Sequence, residues 1–142
     1  MNDKEFTAQK RRIRAIVKKY HAIGIGWWKL DIEYARHPAD MPGGIPEPTQ
    51  SGKWELAAST HVAWQYRDAK ITFNMEAAKD ADDENLEKRF LHEYAHCLLN
   101  EMRSIAKSND ALVENWVEHE EAVATSLAST IFWAYKAGRD SV

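Results

Sequence analysis

The sequence has few of the residues that stabilise or export a secreted protein. Its 142 residues include a single cysteine, Cys97, which excludes an internal disulfide framework and favours a reducing compartment. It has no run of 18 consecutive apolar residues, and it opens on the polar and charged segment Met1-Asn2-Asp3-Lys4-Glu5. A membrane span and an export signal both need long apolar runs. We therefore predict a cytoplasmic protein with no membrane partner.

An excess of positive charge is also missing. The formal net charge is −3 and the isoelectric point is near 6.1. The one short basic run, Lys10-Arg11-Arg12-Ile13-Arg14, is typical of the solvated side of a helix. Proteins that coat nucleic acid or anionic membranes need a broad basic surface. We therefore predict that the chain has no nucleic-acid partner.

Proline and glycine are scarce and unevenly distributed. All four prolines and three of the six glycines fall between His37 and Gly52. This composition predicts a long surface loop, and a lid over an active cleft is one role for such a loop. With 44% hydrophobic residues in 142, the chain suits one compact domain that spans residues 1–142.

The periodicity of apolar residues predicts an α+β fold. Three segments carry helical spacing: Asp3 to about Ala22, Glu84 to Ala106 after acidic N-cap candidates, and a final helix from about Asp110 to Lys136. Three segments are strand-like: Trp27 to Tyr34, Trp54 to Trp64, and Lys70 to Met75, with Arg67-Asp68 as a turn between the last two. We expect an N-terminal helix, a short three-stranded, mostly antiparallel sheet, and two further helices.

The segment His92-Glu93-Tyr94-Ala95-His96 carries the strongest chemical signal. It spells H-E-x-x-H inside a predicted helix, where two imidazoles four residues apart lie on one face and can bind a single Zn²⁺. Glu93 lies between them and can reach a water on that metal. The apolar residues around the motif argue against two solvated surface histidines. We therefore predict a zinc site with His92 and His96 as ligands and Glu93 as the catalytic residue.

A catalytic zinc site usually needs a third protein ligand, and the final helix offers one. At 100° per residue, Glu120 falls near the centre of the apolar stripe of that helix, and Glu121 lies at its edge. A buried carboxylate needs a compensating charge, which a metal with two imidazoles would supply. Glu120 is the predicted third ligand and Glu121 the alternate. A buried salt bridge remains open for Glu120, and His119 is an outside possibility as a ligand.

These motifs resemble a minimal zinc metallopeptidase of the gluzincin type, similar in layout to small ImmA/IrrE-like and phage-encoded metallopeptidases. The resemblance covers about residues 54 to 131. It implies a zincin-like domain with upstream strands, an active-site helix and a later helix that supplies the third ligand. The family pattern Asn-Glu-x-x-Ala would place this ligand at Glu121, given Ala124, although His119-Glu120 stands where the Asn is expected. The family pattern and the helix phase differ by one position.

The predicted function is zinc-dependent peptide-bond hydrolysis by an endopeptidase that acts on a protein or peptide substrate. Zinc lowers the pKa of its bound water toward about 7, and Glu93 takes the proton as the water attacks the scissile carbonyl. The resemblance implies that substrate pairs with an edge strand, which the segment Lys70 to Met75 could provide. The alternative is a zinc-binding regulatory or structural domain with a degenerate peptidase site. Four residues are unranked candidates for a second oxyanion donor: His61, Tyr66, Arg67 and Tyr135.

Overall fold

The computed structural model describes residues 1–21, 28–42 and 57–140, without the side chains of residues 110–114 and 117. Within these ranges the fold is α+β, with four α-helices and one three-stranded sheet. The helices are α1 (Asp3–His21), α2 (Met75–Lys79), α3 (Asp83–Lys107) and α4 (Asp110–Asp140), and the strands are β1 (Lys29–Ala35), β2 (Ala58–Ala63) and β3 (Asp68–Asn74).

The sheet is mixed, with the strand order β1-β3-β2. Strand β1 pairs in parallel with β3, from Lys29 opposite Asp68 to Ala35 opposite Asn74. Strand β2 pairs antiparallel with β3, from Ala58 opposite Phe73 to Ala63 opposite Asp68. The prediction of a mostly antiparallel sheet is therefore wrong, because one of the two pairings is parallel. The alternation of apolar residues predicts which segments are strands, but it carries no information on the direction of pairing.

The turn between β2 and β3 lies slightly earlier than predicted. A single 3₁₀ turn covers Trp64–Tyr66, and Arg67 follows it with φ 54° and ψ 44°, in the left-handed region. The backbone N–H of Arg67 donates to the carbonyl of Trp64 at 3.1 Å. Asp68, which was predicted to be in the turn, is the first residue of β3. The turn therefore comprises residues 64–67.

Helix α1 begins with a reciprocal cap and packs on the core through one face. The backbone N–H of Glu5 donates to the side chain of Asn2, and the N–H of Asn2 donates to the carboxylate of Glu5, both at 2.9 Å. Near its end, the Tyr20 hydroxyl donates to Glu87 of α3 at 2.5 Å. Burial and this hydrogen bond raise the pKa of Tyr20. The helix buries Ile13, Ile16 and Tyr20, which belong to the core together with residues of β3, α3 and α4.

Helices α3 and α4 form an antiparallel hairpin joined by Ser108 and Asn109. Asp82 caps α3, since its carboxylate accepts from the N–H of Asn85 at 2.7 Å. The acidic N-cap prediction is confirmed, and both helices begin within one residue of their predicted starts. Contacts run in opposite order along the two helices, because His96 meets Glu120 while His92 meets Thr125. This hairpin positions the H-E-x-x-H motif against the last helix.

Two further segments, helix α2 and the predicted loop from His37 to Gly52, compare differently with the sequence predictions. Helix α2 was not predicted, because five residues are too few to show helical periodicity; Asn74 caps it by accepting from Ala77 N–H at 3.4 Å. Most of the predicted loop from His37 to Gly52 lies outside the described residues. Among the helices that the structure describes, none combines the length and the apolar composition needed to cross a bilayer.

Candidate metal centre

Three side chains from two helices converge at the surface of the α3–α4 hairpin. His92 and His96 of α3 bring their Nε2 atoms within 3.1 Å of each other. The carboxylate of Glu121 on α4 lies 3.1 Å from His92 Nε2 and 3.2 Å from His96 Nε2. Among the described residues, these three form a group that could hold a metal ion, with all ligand atoms within 4.8 Å of one another.

The spacing of these three ligand atoms fits a small tetrahedral cation. Zinc–nitrogen and zinc–oxygen bonds of about 2.0–2.1 Å place neighbouring ligands of a tetrahedral site about 3.4 Å apart. The two Nε2 atoms are 3.1 Å apart, one Glu121 oxygen lies 3.1 Å from His92 Nε2, and the other Glu121 oxygen lies 3.2 Å from His96 Nε2. Two imidazoles and one carboxylate are also a common donor set of catalytic zinc sites. The residues present therefore fit the metal that the sequence predicts.

Glu120 supports His96 from the opposite side of the imidazole ring. Its Oε1 lies 2.8 Å from His96 Nδ1, and its Oε2 accepts from Trp116 Nε1 at 2.7 Å. Arg103 Nε lies 3.6 Å from the same Oε2. Because an ionised carboxylate only accepts hydrogen bonds, His96 Nδ1 is the protonated nitrogen and Nε2 carries the free lone pair. Glu120 therefore fixes the ring in the orientation and tautomer that a metal ligand requires.

The helix phase predicted the burial of Glu120, and the residue is 4% exposed. The buried glutamate, however, is not the glutamate that lies in the ligand group. Glu121 has an exposed side chain and lies with the two Nε2 atoms, while Glu120 lies on Nδ1. The geometry favours the alternate, Glu121, because a metal at the groove surface is reached from the edge of the apolar stripe. His119 and Glu118 are exposed and lie outside the group.

Glu93 links the centre to the sheet. The hydroxyl of Thr60 on β2 donates to the Glu93 carboxylate, and it also lies 3.3 Å from the Glu93 carbonyl oxygen. A groove of about 560 Å³ runs between β2 and α3, and its walls include His92, His96, Glu93 and Glu121. The predicted ligands and the predicted base therefore open onto one cavity.

The edge strand beside this groove is β2. The segment Lys70 to Met75, predicted to pair with substrate, lies mostly in β3 and is wrong for this role. Strand β3 is central, and its backbone groups are paired with β1 on one side and with β2 on the other. Residues 57–60 and 62 contribute to the groove wall, so an extended substrate would meet β2.

The four candidate oxyanion donors are all absent from the groove lining. His61 is exposed on β2, Tyr66 is 85% exposed, and Arg67 is in the turn. Tyr135 lines a second, smaller cavity beside Tyr20. Polar residues of the site that the sequence did not single out include Thr60, Arg89, Asn100, Arg103, Trp116 and Thr125. Asn100 and Arg103 follow His96 at helical spacings of four and seven residues, a signal that the sequence does carry.

Cys97 is a core residue. It is 1% exposed, and burial followed by the nearby Glu93 charge raises the pKa of its thiol to about 12. A thiol with so high a pKa is neutral at pH 7 and has little tendency to bind a metal.

Comparisons of this chain with protein-family models, with curated proteins and with solved structures find no match. The interpretation of the site therefore depends on its own geometry and chemistry.

Proposed function

We propose that this chain is a cytoplasmic zinc-dependent peptidase, related to the gluzincins by its H-E-x-x-H motif. His92, His96 and Glu121 would hold the metal, and Glu93 would act as general base. The observation that carries the proposal is the meeting of the two Nε2 atoms, 3.1 Å apart, with the Glu121 carboxylate, which has one oxygen 3.1 Å from His92 Nε2 and the other 3.2 Å from His96 Nε2, in a groove that Glu93 also lines.

The position of Glu93 supports catalysis rather than a purely structural metal site. A structural zinc site has four protein ligands and needs no base beside it. Here three ligand residues come together among the described residues, and a second carboxylate, that of Glu93, lies in the same groove. Thr60 holds this carboxylate by a hydrogen bond from the strand that forms the opposite wall.

The chemistry follows from the roles of the chain's own residues. Zinc, when bound, supplies a Lewis acid that stabilises negative charge on the scissile carbonyl oxygen and activates water. Glu93 accepts a proton from the attacking water while the new carbon–oxygen bond forms. It then returns this proton to the amine nitrogen as the carbon–nitrogen bond breaks. Thr60 orients the Glu93 carboxylate, and Glu120 keeps the His96 lone pair directed at the metal.

The experiment compares the parent protein with Glu93→Gln. Each is loaded with zinc, dialysed without chelator, and measured for zinc content and for cleavage of a casein-derived peptide mixture by mass spectrometry. We expect one zinc per chain in both proteins. Peptide cleavage should fall by about 100-fold or more in Glu93→Gln, because general-base catalysis contributes about 10²–10⁴-fold.

The matched control is Glu118→Gln, which makes the same change at an exposed residue of α4 outside the ligand group. It should retain both zinc and activity. Zinc binding without cleavage in the parent would instead support the non-catalytic alternative. A parent protein that returns from dialysis without zinc would contradict the whole proposal.

A further inference from the structure

Cationic side chains line the groove on both sides of the candidate metal centre, although the chain as a whole has a net charge of −3. Three cationic residues of α3 line it: Lys88, Arg89 and Arg103. Its acidic lining residues are Glu93 and Glu121, which belong to the centre itself. Charge of one sign inside a cleft is focused by the low-dielectric walls and attracts ligands of opposite charge.

Arg89 lies at the end of the groove that precedes the motif. One of its guanidinium nitrogens donates to the carbonyl of Ala77 at 3.1 Å. This bond to a neutral group fixes the side chain but leaves its charge uncompensated, and no carboxylate of the described residues forms an ion pair with it. Lys88, by contrast, is paired with Glu84 at 2.8 Å. Arg89 is therefore the stronger anion-binding group at this end.

Arg103 lies at the other end, two helical turns beyond His96. Its Nε is buried and has no hydrogen-bond partner, and the nearest carboxylate oxygen, Glu120 Oε2, is 3.6 Å away. That oxygen already accepts from Trp116 at 2.7 Å. The side chain of Arg103 is 35% exposed, and the residue lines the groove. It can therefore contact a ligand carboxylate while it remains near Glu120.

The spacing of the two arginines defines a length. Residues 89 and 103 are separated by about 21 Å along α3, at 1.5 Å per residue. An extended peptide covers this distance with about six residues, at about 3.3 Å each. The motif lies between the arginines, so that they are about two peptide residues from the metal centre on one side and about four on the other.

We propose that the substrate of this groove is an acidic peptide segment, with acidic side chains bound by Arg89 and Arg103 on either side of the scissile bond. The inference rests on the proposed peptidase function, because it names the substrate class of that site. The two arginines act as specificity-determining residues, and the metal centre performs the same chemistry on any bound peptide.

The test uses a peptide of about ten alanine and glutamine residues, acetylated and amidated so that side chains supply the only carboxylates. A single Glu, or a single Lys, is moved through each position, and mass spectrometry locates the cleaved bond. We expect Glu to raise kcat/KM by about 2- to 5-fold at two positions, about two residues from the cleaved bond on one side and about four on the other. Lys at these positions should lower it.

Two substitutions assign each preference to its arginine. Arg89→Gln should abolish only the preference for Glu about two residues from the cleaved bond. Arg103→Gln should abolish only the preference for Glu about four residues from it on the other side. Arg89→Lys and Arg103→Lys keep the positive charge and should retain most of the preference for Glu. Lys107→Gln removes a charge from the exposed end of the same helix and should change neither preference. Zinc content is measured for each variant, because Arg103 also lies near Glu120.

Binding is measured independently of cleavage. Fluorescein-labelled peptides with Glu at both favoured positions, or with Lys there, are titrated into Glu93→Gln by fluorescence anisotropy at low and high salt. The Glu peptide should bind at least 10-fold more tightly at low salt, and the difference should shrink at high salt. Equal binding and cleavage of Glu, Lys and neutral peptides would overturn the inference and leave the peptidase proposal intact. The same peptides are also made with a free C-terminus, and a preference seen only in that second set would overturn the inference as well, since a terminal carboxylate would then be the bound group.

If none of the peptides is cleaved, the peptidase proposal fails, and the anisotropy measurement still decides whether the groove selects acidic chains. Tighter binding of the Lys peptide than of the Glu peptide would refute that selection.

Discussion

Two neighbouring glutamates at the candidate centre have opposite environments. The side chain of Glu120 is 3% exposed and receives hydrogen bonds from His96 and Trp116. The side chain of Glu121 is 59% exposed and faces the two Nε2 atoms. A direct ligand and a residue that only orients a ligand contribute differently to metal affinity. The pair therefore offers a sharp test at the scale of single residues.

We predict that Glu121→Gln weakens zinc binding more than Glu120→Gln does. Loss of the anionic ligand should cost more than 100-fold in affinity, whereas loss of the carboxylate behind His96 should cost about 10- to 100-fold. The measurement is competition for zinc with a chromophoric chelator. Glu118→Gln, an exposed change on the same helix, should bind zinc as the parent does. Equal losses, or the larger loss in Glu120→Gln, would return Glu120 to the ligand set.

The helix phase could predict the burial of Glu120 but not which glutamate lies in the ligand group. Periodicity reports which face of α4 packs on the core. The metal centre is not at the middle of that face, because it must open to the groove, and a residue at the edge of the stripe reaches it. The family pattern favoured Glu121 because it counts positions along the chain, from the spacing to Ala124, and does not depend on which face of the helix is buried. The two histidines needed no such distinction, since both lie on a single helix at a fixed spacing.

At the scale of elements, the centre depends on how closely α3 and α4 approach. Small residues of α4 lie between the helices: Ala124 is 0% exposed and Ala128 is 3% exposed. With Glu120 and Phe132 they form a row at intervals of four residues. Val123, which precedes Ala124, is 44% exposed and lies outside this row. Because the side chains of the row are buried on the helix that packs against α3, we infer that the row limits how closely Glu121 approaches the histidines.

We predict that Ala124→Leu loosens this contact. Added methyl groups in a close-packed interface typically cost about 1–3 kcal/mol, because neighbouring side chains and backbone must shift. The expected result is a loss of that size in the free energy of unfolding, measured in urea without zinc, together with weaker zinc binding. Ala122→Leu makes the same change at an exposed position of α4 and should alter both by little. Equal behaviour of the two variants would mean that Ala124 does not limit the approach of the helices.

The helices could be predicted from the sequence more fully than the sheet. Caps and periodicity are local, and they placed α1 and the start of α3 within one or two residues. Pairing in the sheet is decided by segments far apart in the chain, so the parallel β1–β3 pair and the central place of β3 had no local signal. The prediction that the segment Lys70 to Met75 forms the edge strand that meets substrate was wrong for the same reason.

At the scale of the whole molecule, the centre joins three elements of the fold. Its candidate ligands come from α3 and α4, and Thr60 of β2 holds the candidate base. A ligand that binds the folded protein but not the unfolded chain stabilises the fold in proportion to the logarithm of its concentration. A metal held between two helices should therefore be visible in the global stability of the protein.

We predict that free zinc at 100 times its dissociation constant raises the free energy of unfolding by about 2.7 kcal/mol and that a chelator removes this gain. The measurement is urea unfolding with and without chelator. Glu93→Gln should retain the full increment, because Glu93 is not a ligand. Glu121→Gln should lose most of it at the same zinc concentration. Exposed histidines can bind zinc weakly, so the variant that carries His37→Gln, His61→Gln and His119→Gln serves as a control and should respond as the parent does. An increment that depends on these three surface histidines, or that survives in Glu121→Gln, would contradict a metal held between α3 and α4.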